Sequence, residues 1–505
     1  MSKLEKVPFE EAMNLTGYGK FNLLTFIVCS SIVLSMDFEI FSVGYLVPAS
    51  ACELGTTSAQ QGLMAATPVV GIIATSHIWG YLADTRGRKK VLCFSMTLSF
   101  VASTAAAFAP DWITFSVFKL ISSTSVAGAF ALAFTLLSEC NPEAKRAFLL
   151  VLTSTIFLCS SGIMAVIALP VLPLKFSYYI PALGIHFNSW RLLNLIYGFP
   201  SAISAFGLLF ALESPKFLLS VGQEDKALDV LRTMFVINNR KSGDEYPIKS
   251  LALNEEEAPT GVTGLWSSIV AQTIPLFKPP LLKKTVLMSI IFVITYLSIN
   301  PYVMWMPYIV DGFMRSVRRG EANLTFCERI RATHHLSHMD QLENQCAMNE
   351  FAMTMVFGIG VILAIGNTIA TVLVNYVKKK TMLIVIQVMA GVSGILLNNT
   401  SLWFLSAGLF LMFVAGTINF GFLSTFTVEI FPTYVKAMAV SLTLMMGRSS
   451  AVAGINVLKE LLNTNCEASF YVFGIITLVG AGFYFLLPAE ASPAKTASKN
   501  RQTVP

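Results

Sequence analysis

Gly80-Tyr-Leu-Ala-Asp84-Thr-Arg-Gly87-Arg88-Lys89-Lys90 lies between two apolar runs, 58–80 and 91–109. Five charged side chains in eleven residues interrupt an otherwise lipid-compatible sequence, so the chain must turn there in a polar medium, and Gly87 permits a tight reversal. A second loop, Val372-Leu-Val-Asn375-Tyr-Val-Lys378-Lys379-Lys380, follows a later apolar run with Asn375 placed 291 residues after Asp84, but it lacks the glycine and the acid. Another pair has nearly the same displacement: Glu139-x-x-Pro142-x-x-x-Arg146 recurs as Glu429-x-x-Pro432-x-x-x-Lys436, 290 residues on. Two different elements displaced to within one residue of each other indicate a duplicated, parallel architecture.

Outward from these loops the chain divides into twelve apolar stretches, near 21–46, 58–80, 91–109, 113–137, 147–169, 192–212, 285–308, 351–375, 381–397, 402–428, 438–458 and 469–487. Each approaches the ~20 residues that a helix rising 1.5 Å per residue needs to cross a bilayer. Of the 505 residues 54% are hydrophobic and 13% charged, against roughly 25% charged in ordinary globular domains. A chain of this size cannot hide so much apolar surface from water, so lipid is its solvent. The fold expected is an all-α membrane protein with twelve transmembrane helices in two six-helix pseudo-repeats, 21–212 and 285–487. Residues 1–20, 213–284 and 488–505 form polar segments on one face, and 309–350 is the longest loop on the other. The 213–284 linker has no GxxxxGK[ST] phosphate loop, which argues against an ATP-driven pump. Nothing assembles a nucleophile, a base and an orienting group, so neither an enzyme nor a cofactor is expected. His334, His335 and His338 have spacing that could hold a metal on a helix, but without further ligands they read as a solvated loop.

Lysine and arginine set the orientation. With the N-terminus in the cytosol, segments on that side hold 25 of the 35, far-side segments hold 8, and Lys119 and Arg448 lie inside helices. This excess predicts that both termini are cytosolic. MSKLEKVPFEEAMNLTGYGKFN has no cleavable signal-peptide pattern, so the first helix is the expected targeting signal. The net charge of +6 is partitioned by topology rather than gathered on one face, which sets nucleic-acid binding aside. The expected partners are the lipid bilayer and a small-molecule or ion substrate, and the expected state is a monomer. Cys52, Cys327, Cys346 and Cys466 fall on the far side, where disulfides can form, and a Cys327–Cys346 bridge would close the 309–350 loop. Asn323 and Asn398 begin far-side glycosylation sequons, whereas the sequon at Asn14 falls on the cytosolic side.

The form G-x-x-x-D-x-x-G-R-[KR] at 80–90 resembles the cytosolic signature of the major facilitator superfamily. Asp84 can pair with Arg88 or with a neighbouring helix, giving a charge cluster able to latch one conformation. Leu212-Glu213-Ser214-Pro215-Lys216-Phe217-Leu218-Leu219 resembles the P-E-S-P-R-[FW]-L element of sugar porters, organic ion transporters and synaptic vesicle glycoprotein 2 relatives, departing at Leu212 and Lys216. A short amphipathic helix along the cytosolic face should follow it. The gating candidates are Gly80, Asp84, Gly87, Arg88, Glu139, Arg146, Glu213, Lys216, Glu429 and Lys436. The seventh stretch lacks the Gln-Gln pair of sugar porters, and LLPAEASPAK replaces their P-E-T-[KR]-G. Residues 47–57 are too few for the folded loop of organic ion transporters. The long 309–350 loop, EIFSVGYLVPAS in the first stretch, and Tyr296, Trp305 and Pro307 resemble the synaptic vesicle glycoprotein 2-like group. That resemblance implies a secondary active transporter of a small organic solute or ion working by alternating access, open to proton coupling, in a plasma, secretory or synaptic vesicle membrane. The alternatives are a non-transporting vesicle or receptor-like protein of the same fold and, second, a sugar porter.

Charges at mid-bilayer are costly unless paired or hydrated, so each is a site candidate. Glu39 and Lys119 each lie seven residues from the far end of their helices, roughly 10 Å deep, and can meet. One reading makes Glu39, with Asp37 second, the group that binds a proton or cationic substrate under the influence of Lys119. The other makes Glu39–Lys119 a fixed structural pair. Arg448 can hold an anionic group or cap polar groups between helices. Tyr296 and Asn300 lie one turn apart beside Pro301, which can break its helix next to a cavity. Trp305 fits a substrate stack or the interfacial belt, and Asn367 and Asn419 fit either a site or helix-to-helix bonding.

Overall fold

The computed structural model describes residues 6–252, 270, 273–320, 323–336, 350–374, 376–431 and 435–488. Among them eleven helices are long and apolar enough to cross a membrane: Lys20–Leu54, Arg88–Ala107, Trp112–Glu139, Glu143–Val171, Ser189–Phe210, Leu281–Met304, Glu350–Leu373, Lys379–Asn399, Trp403–Thr427, Met438–Thr464 and Cys466–Tyr484. The 29-residue helix Ser58–Arg86 completes twelve. Its apolar character is diluted by Gln60, Gln61, Thr75 and Ser76, which suits a helix packed between other helices rather than against lipid alone. Numbered in chain order, it is span 2.

Among the described residues four spans are interrupted, and they hold the same place in each triplet. Span 1 divides at Ser42, span 4 at Ala127–Gly128, span 7 at Trp305 and span 10 at Ala415–Thr417. Broken backbone is tolerated at membrane depth only where protein or a cavity, not lipid, surrounds it, so these four spans mark the interior. In span 7 the expected break at Pro301 is displaced. The helix runs through Pro301 to Met304, and the Trp305 amide still donates to the Pro301 carbonyl at 3.0 Å. Pro301 has no N–H for the Leu297 carbonyl. Gly454 of span 11 lies against that carbonyl, where a Cβ would come within 2.7 Å.

The face bearing the N-terminal segment, here the near face, carries a small folded layer. Val7–Pro8 pairs in parallel with Leu251–Ala252, and Tyr246 donates its hydroxyl to the Ala12 carbonyl at 2.8 Å. The amphipathic helix expected after Pro215 is Glu224–Asn239, which buries Ala227, Leu228, Leu231 and Met234.

The far face differs from a simple loop reading. Span 1 extends to Leu54, beyond the expected end at residue 46. Span 7 continues as Met306–Arg318, and a further helix, Phe326–Leu336, packs beside it, so much of 309–350 is helical. Phe326 stacks on Phe313 and Phe410 and meets Phe470 edge-on. That packing seats Cys327 beside Cys466, and these two form the disulfide. The expected Cys327–Cys346 bridge is therefore incorrect; sequence spacing favoured the shorter loop, whereas aromatic packing chose the partner. Cys52 is also disulfide-bonded, and Cys346 lies outside the described residues.

Candidate transport site

Spans 1 to 6 and 7 to 12 meet along their far portions. Gly44 of span 1 leaves room for the Met304 carbonyl of span 7, with which a Cβ would overlap. Gly62 of span 2 admits Asn456 of span 11, and spans 5 and 8 cross at Gly162 and Gly360. At the rim Asn463 donates to the Ser58 hydroxyl at 2.7 Å. These crossings close the far side in this conformation.

Beneath them, between the halves, is a cavity of about 280 Å³. Asp37, Phe130, Phe157 and Ser160 line it from the first half; Tyr296, Asn300, Asn367, Phe420 and Arg448 line it from the second. Among the described residues Asp37 and Arg448 are the two charged ones in its wall. Neither Asp37 carboxylate oxygen has a hydrogen-bond partner among the described residues. The Ser160 side chain lies near the Asp37 carboxylate in the cavity wall. Arg448 is partly exposed and interacts electrostatically with Tyr296. Tyr296 stacks on Phe420 with ring centroids 4.3 Å apart.

The other expected residues divide sharply. Lys119 donates to Glu39 Oε2 at 2.9 Å and to Ser42 Oγ at 3.1 Å, and both partners of the ion pair are 1% exposed. The pair pins span 4 to the break in span 1 and does not line the cavity. Trp305 sits in neither a substrate stack nor an interfacial belt. It is fully buried, donates to the Ile455 carbonyl at 3.1 Å and lies under Lys459. Asn419 is likewise outside the cavity: its amide donates to the Leu383 carbonyl and Gln387, which ties span 10 to span 9. Asn323 is exposed, but Asn398 is buried, accepts from the Cys327 amide, and has its own amide nitrogen enclosed. The Asn398 side chain is thus engaged in packing on the Phe326–Leu336 helix rather than free at the surface. Sequence reading missed the lining serines and phenylalanines of spans 5 and 10. Their one signal was hydroxyls in a lipid-length helix, such as Ser154, Ser160 and Ser161, and that signal is common.

On the near face the signature residues bind one another within the first half. Arg88 pairs with Glu139 at 3.3 Å and covers the Phe217 ring. Glu213 accepts from the Lys89 and Ser214 amides, both at 3.0 Å. Gly87 has φ 102° and lies so close to Glu213 that a Cβ would overlap it, so the position demands glycine twice over. Arg146 pairs with Glu10 of the N-terminal helix at 2.9 Å. Gly80 has open space beside it, and Lys216 is half-buried. The side chains of Asp84, Glu429 and Lys436 lie outside the described residues.

The description of the Major Facilitator Superfamily matches residues 27–323. The chain belongs to that superfamily. Among curated proteins, it is 25% identical over 359 residues to synaptic vesicle glycoprotein 2B of Mus musculus, covering 67% of this chain and 52% of that relative. It is 25% identical over 235 residues to synaptic vesicle glycoprotein 2A of Rattus norvegicus, covering 46% of this chain and 32% of that relative. The chain thus spans at most about half the length of these relatives. Among solved structures, the xylose transporter XylE from E. coli in a partially occluded inward open conformation superposes with a TM-score of 0.66 at 13% identity. That match covers 93% of this chain and 100% of that one. A D-xylose-proton symporter superposes with a TM-score of 0.66 at 12% identity, covering 94% and 99%. At such identities the likeness is one of fold.

Proposed function

We propose that this superfamily member is a secondary active transporter, moving a small organic solute or ion by alternating access with the near face in the cytosol. The observation that carries the reading is a cavity between the halves to which one half contributes Asp37 and the other Arg448. Keeping a charged side chain at mid-membrane costs roughly 2.5–3.5 kcal/mol or more without a partner or water. A protein serving only as a vesicle component or receptor gains nothing from two such groups in the wall of one cavity, whereas a transporter uses one on a coupling ion and the other on its cargo. Asp37 is the group assigned to a proton or cation, and Glu39–Lys119 is assigned to the scaffold. This reverses the priority suggested by helix depth. The neutral cargo of a sugar porter would leave Arg448 unmatched. The relatives support a plasma, secretory or synaptic vesicle membrane, and the lysine and arginine distribution supports cytosolic termini.

The purified chain in liposomes under an imposed pH gradient tests the assignment. Wild type should accumulate a solute from a panel of sugars, organic cations and organic anions, and Asp37→Asn should abolish the gradient dependence. Undiminished gradient-driven uptake by Asp37→Asn would overturn the role of Asp37. Failure of folded wild type to move any member of the panel would favour the non-transporting alternative.

A further inference from the structure

The two charges of the cavity are not equivalent. Both oxygens of Asp37 are sealed from solvent in this conformation, so a ligand entering the cavity does not reach the carboxylate without rearrangement. Arg448 is partly exposed and has no ion pair or hydrogen bond among the described residues. It is thus the one accessible charge in the wall, and it is positive. Neutral polar groups share the wall with it: Tyr296, Asn300 and Asn367 from the second half, and Ser154, Ser160 and Ser161 from the first. Each can donate a hydrogen bond, so a cation and neutral donors face the same cavity. Much of the remaining wall is apolar and aromatic, including Phe130, Phe157 and Phe420.

We infer that the cavity takes a small organic anion, a carboxylate on an apolar or aromatic body, with the carboxylate on Arg448 and the body against the phenylalanines. Arginine suits the task because its planar fork meets a carboxylate through two parallel hydrogen bonds and keeps its charge in an apolar setting. A cavity of about 280 Å³ falls just under the roughly 300 Å³ at which drug-sized sites begin, which points to a body of about one ring. The inference rests on the transport reading for its biological meaning, but the binding site can be tested separately.

Three probes that share a ring and differ in head group serve: benzoate, benzylamine and benzyl alcohol. Each is titrated against the purified full-length chain in detergent, with thermal stability as the readout. Benzoate should stabilise the wild type, and the cation and the alcohol should not. Arg448→Gln should weaken the apparent benzoate affinity on the order of 10- to 100-fold, the usual effect of losing a charged hydrogen-bond partner. Arg448→Lys should keep part of it, and unliganded melting of both variants checks that they fold. Three results would each overturn the inference: equal stabilisation by benzylamine or benzyl alcohol, unchanged benzoate affinity in Arg448→Gln, or no benzoate stabilisation of the wild type. Counterflow in liposomes separates the two claims. Benzoate that binds through Arg448 but is not exchanged across the membrane refutes transport and leaves the anion site standing. Exchange of benzylamine without benzoate binding does the opposite.

Discussion

Replacing Lys119 by methionine should destabilise the folded chain by about 3–5 kcal/mol, the usual cost of removing one member of a buried ion pair. The structure sets the scale. Lys119 Nζ is 2.9 Å from Glu39 Oε2, and both side chains are 1% exposed. At an effective dielectric constant of about 20, two unit charges at that distance attract by about 6 kcal/mol before desolvation is subtracted. Glu39 Oε1 has no hydrogen-bond partner among the described residues, so little remains to support the carboxylate once the ammonium is gone. The assay is equilibrium unfolding in detergent of wild type, Lys119→Met, Glu39→Gln and the double variant. Each single change should be costly, the double variant should lie closer to wild type, and the coupling should exceed about 2 kcal/mol. A coupling within the ~0.2–1 kcal/mol of exposed pairs would show that water reaches the site and would refute the scaffold role.

Three further outcomes follow from separate parts of the molecule. Gly44→Val places a side chain against the Met304 carbonyl; it should hold the far side open, raising labelling of a cysteine at Ser161 by a far-side impermeant thiol reagent, and unchanged labelling would contradict it. The Leu251 amide and then the Ser250 hydroxyl donate to Glu224 and hold its carboxyl below the usual carboxylate range. A depressed value stabilises the fold above the ordinary carboxylate range and loses that contribution as the pH falls through the lowered one. The protection factor of the Leu251 amide, with the intrinsic pH dependence of exchange divided out, should therefore be high at neutral pH and fall in strong acid, and Glu224→Gln should flatten the difference. A glycosidase-sensitive mass shift, if the far side is glycosylated, should vanish in Asn323→Gln and persist in Asn398→Gln, because the Asn398 amide nitrogen is enclosed; loss in the second variant would count against this packing.

Helix length and charge placement are written locally, which is why the twelve spans, the duplication and the amphipathic helix at 224–239 were legible from the sequence. Each depends on residues close together in the chain and on a solvent, lipid, that forces every backbone polar group to pair within its own helix. The Glu39–Lys119 contact was legible in part: counting from residue 46 put Glu39 level with Lys119, although span 1 runs on past its break at Ser42 to Leu54. Facing direction cannot be counted in that way. Asp37 and Glu39 are two residues apart, about 200° around a helix, so the sequence separates their faces, but which of the two meets the cavity and which meets Lys119 is fixed by how span 1 packs on its neighbours. Trp305, Asn419 and Asn398 show the same limit, since aromatic, amide and sequon patterns look alike in a site and in a packed interior. The Cys327–Cys466 bond spans 139 residues and follows from Phe326 settling among Phe313, Phe410 and Phe470, contacts that no local pattern encodes. Sequence alone determined a duplicated membrane bundle with charges at particular depths. Only the tertiary structure decided which of those charges share a cavity, because that depends on the rotation of each helix against its neighbours.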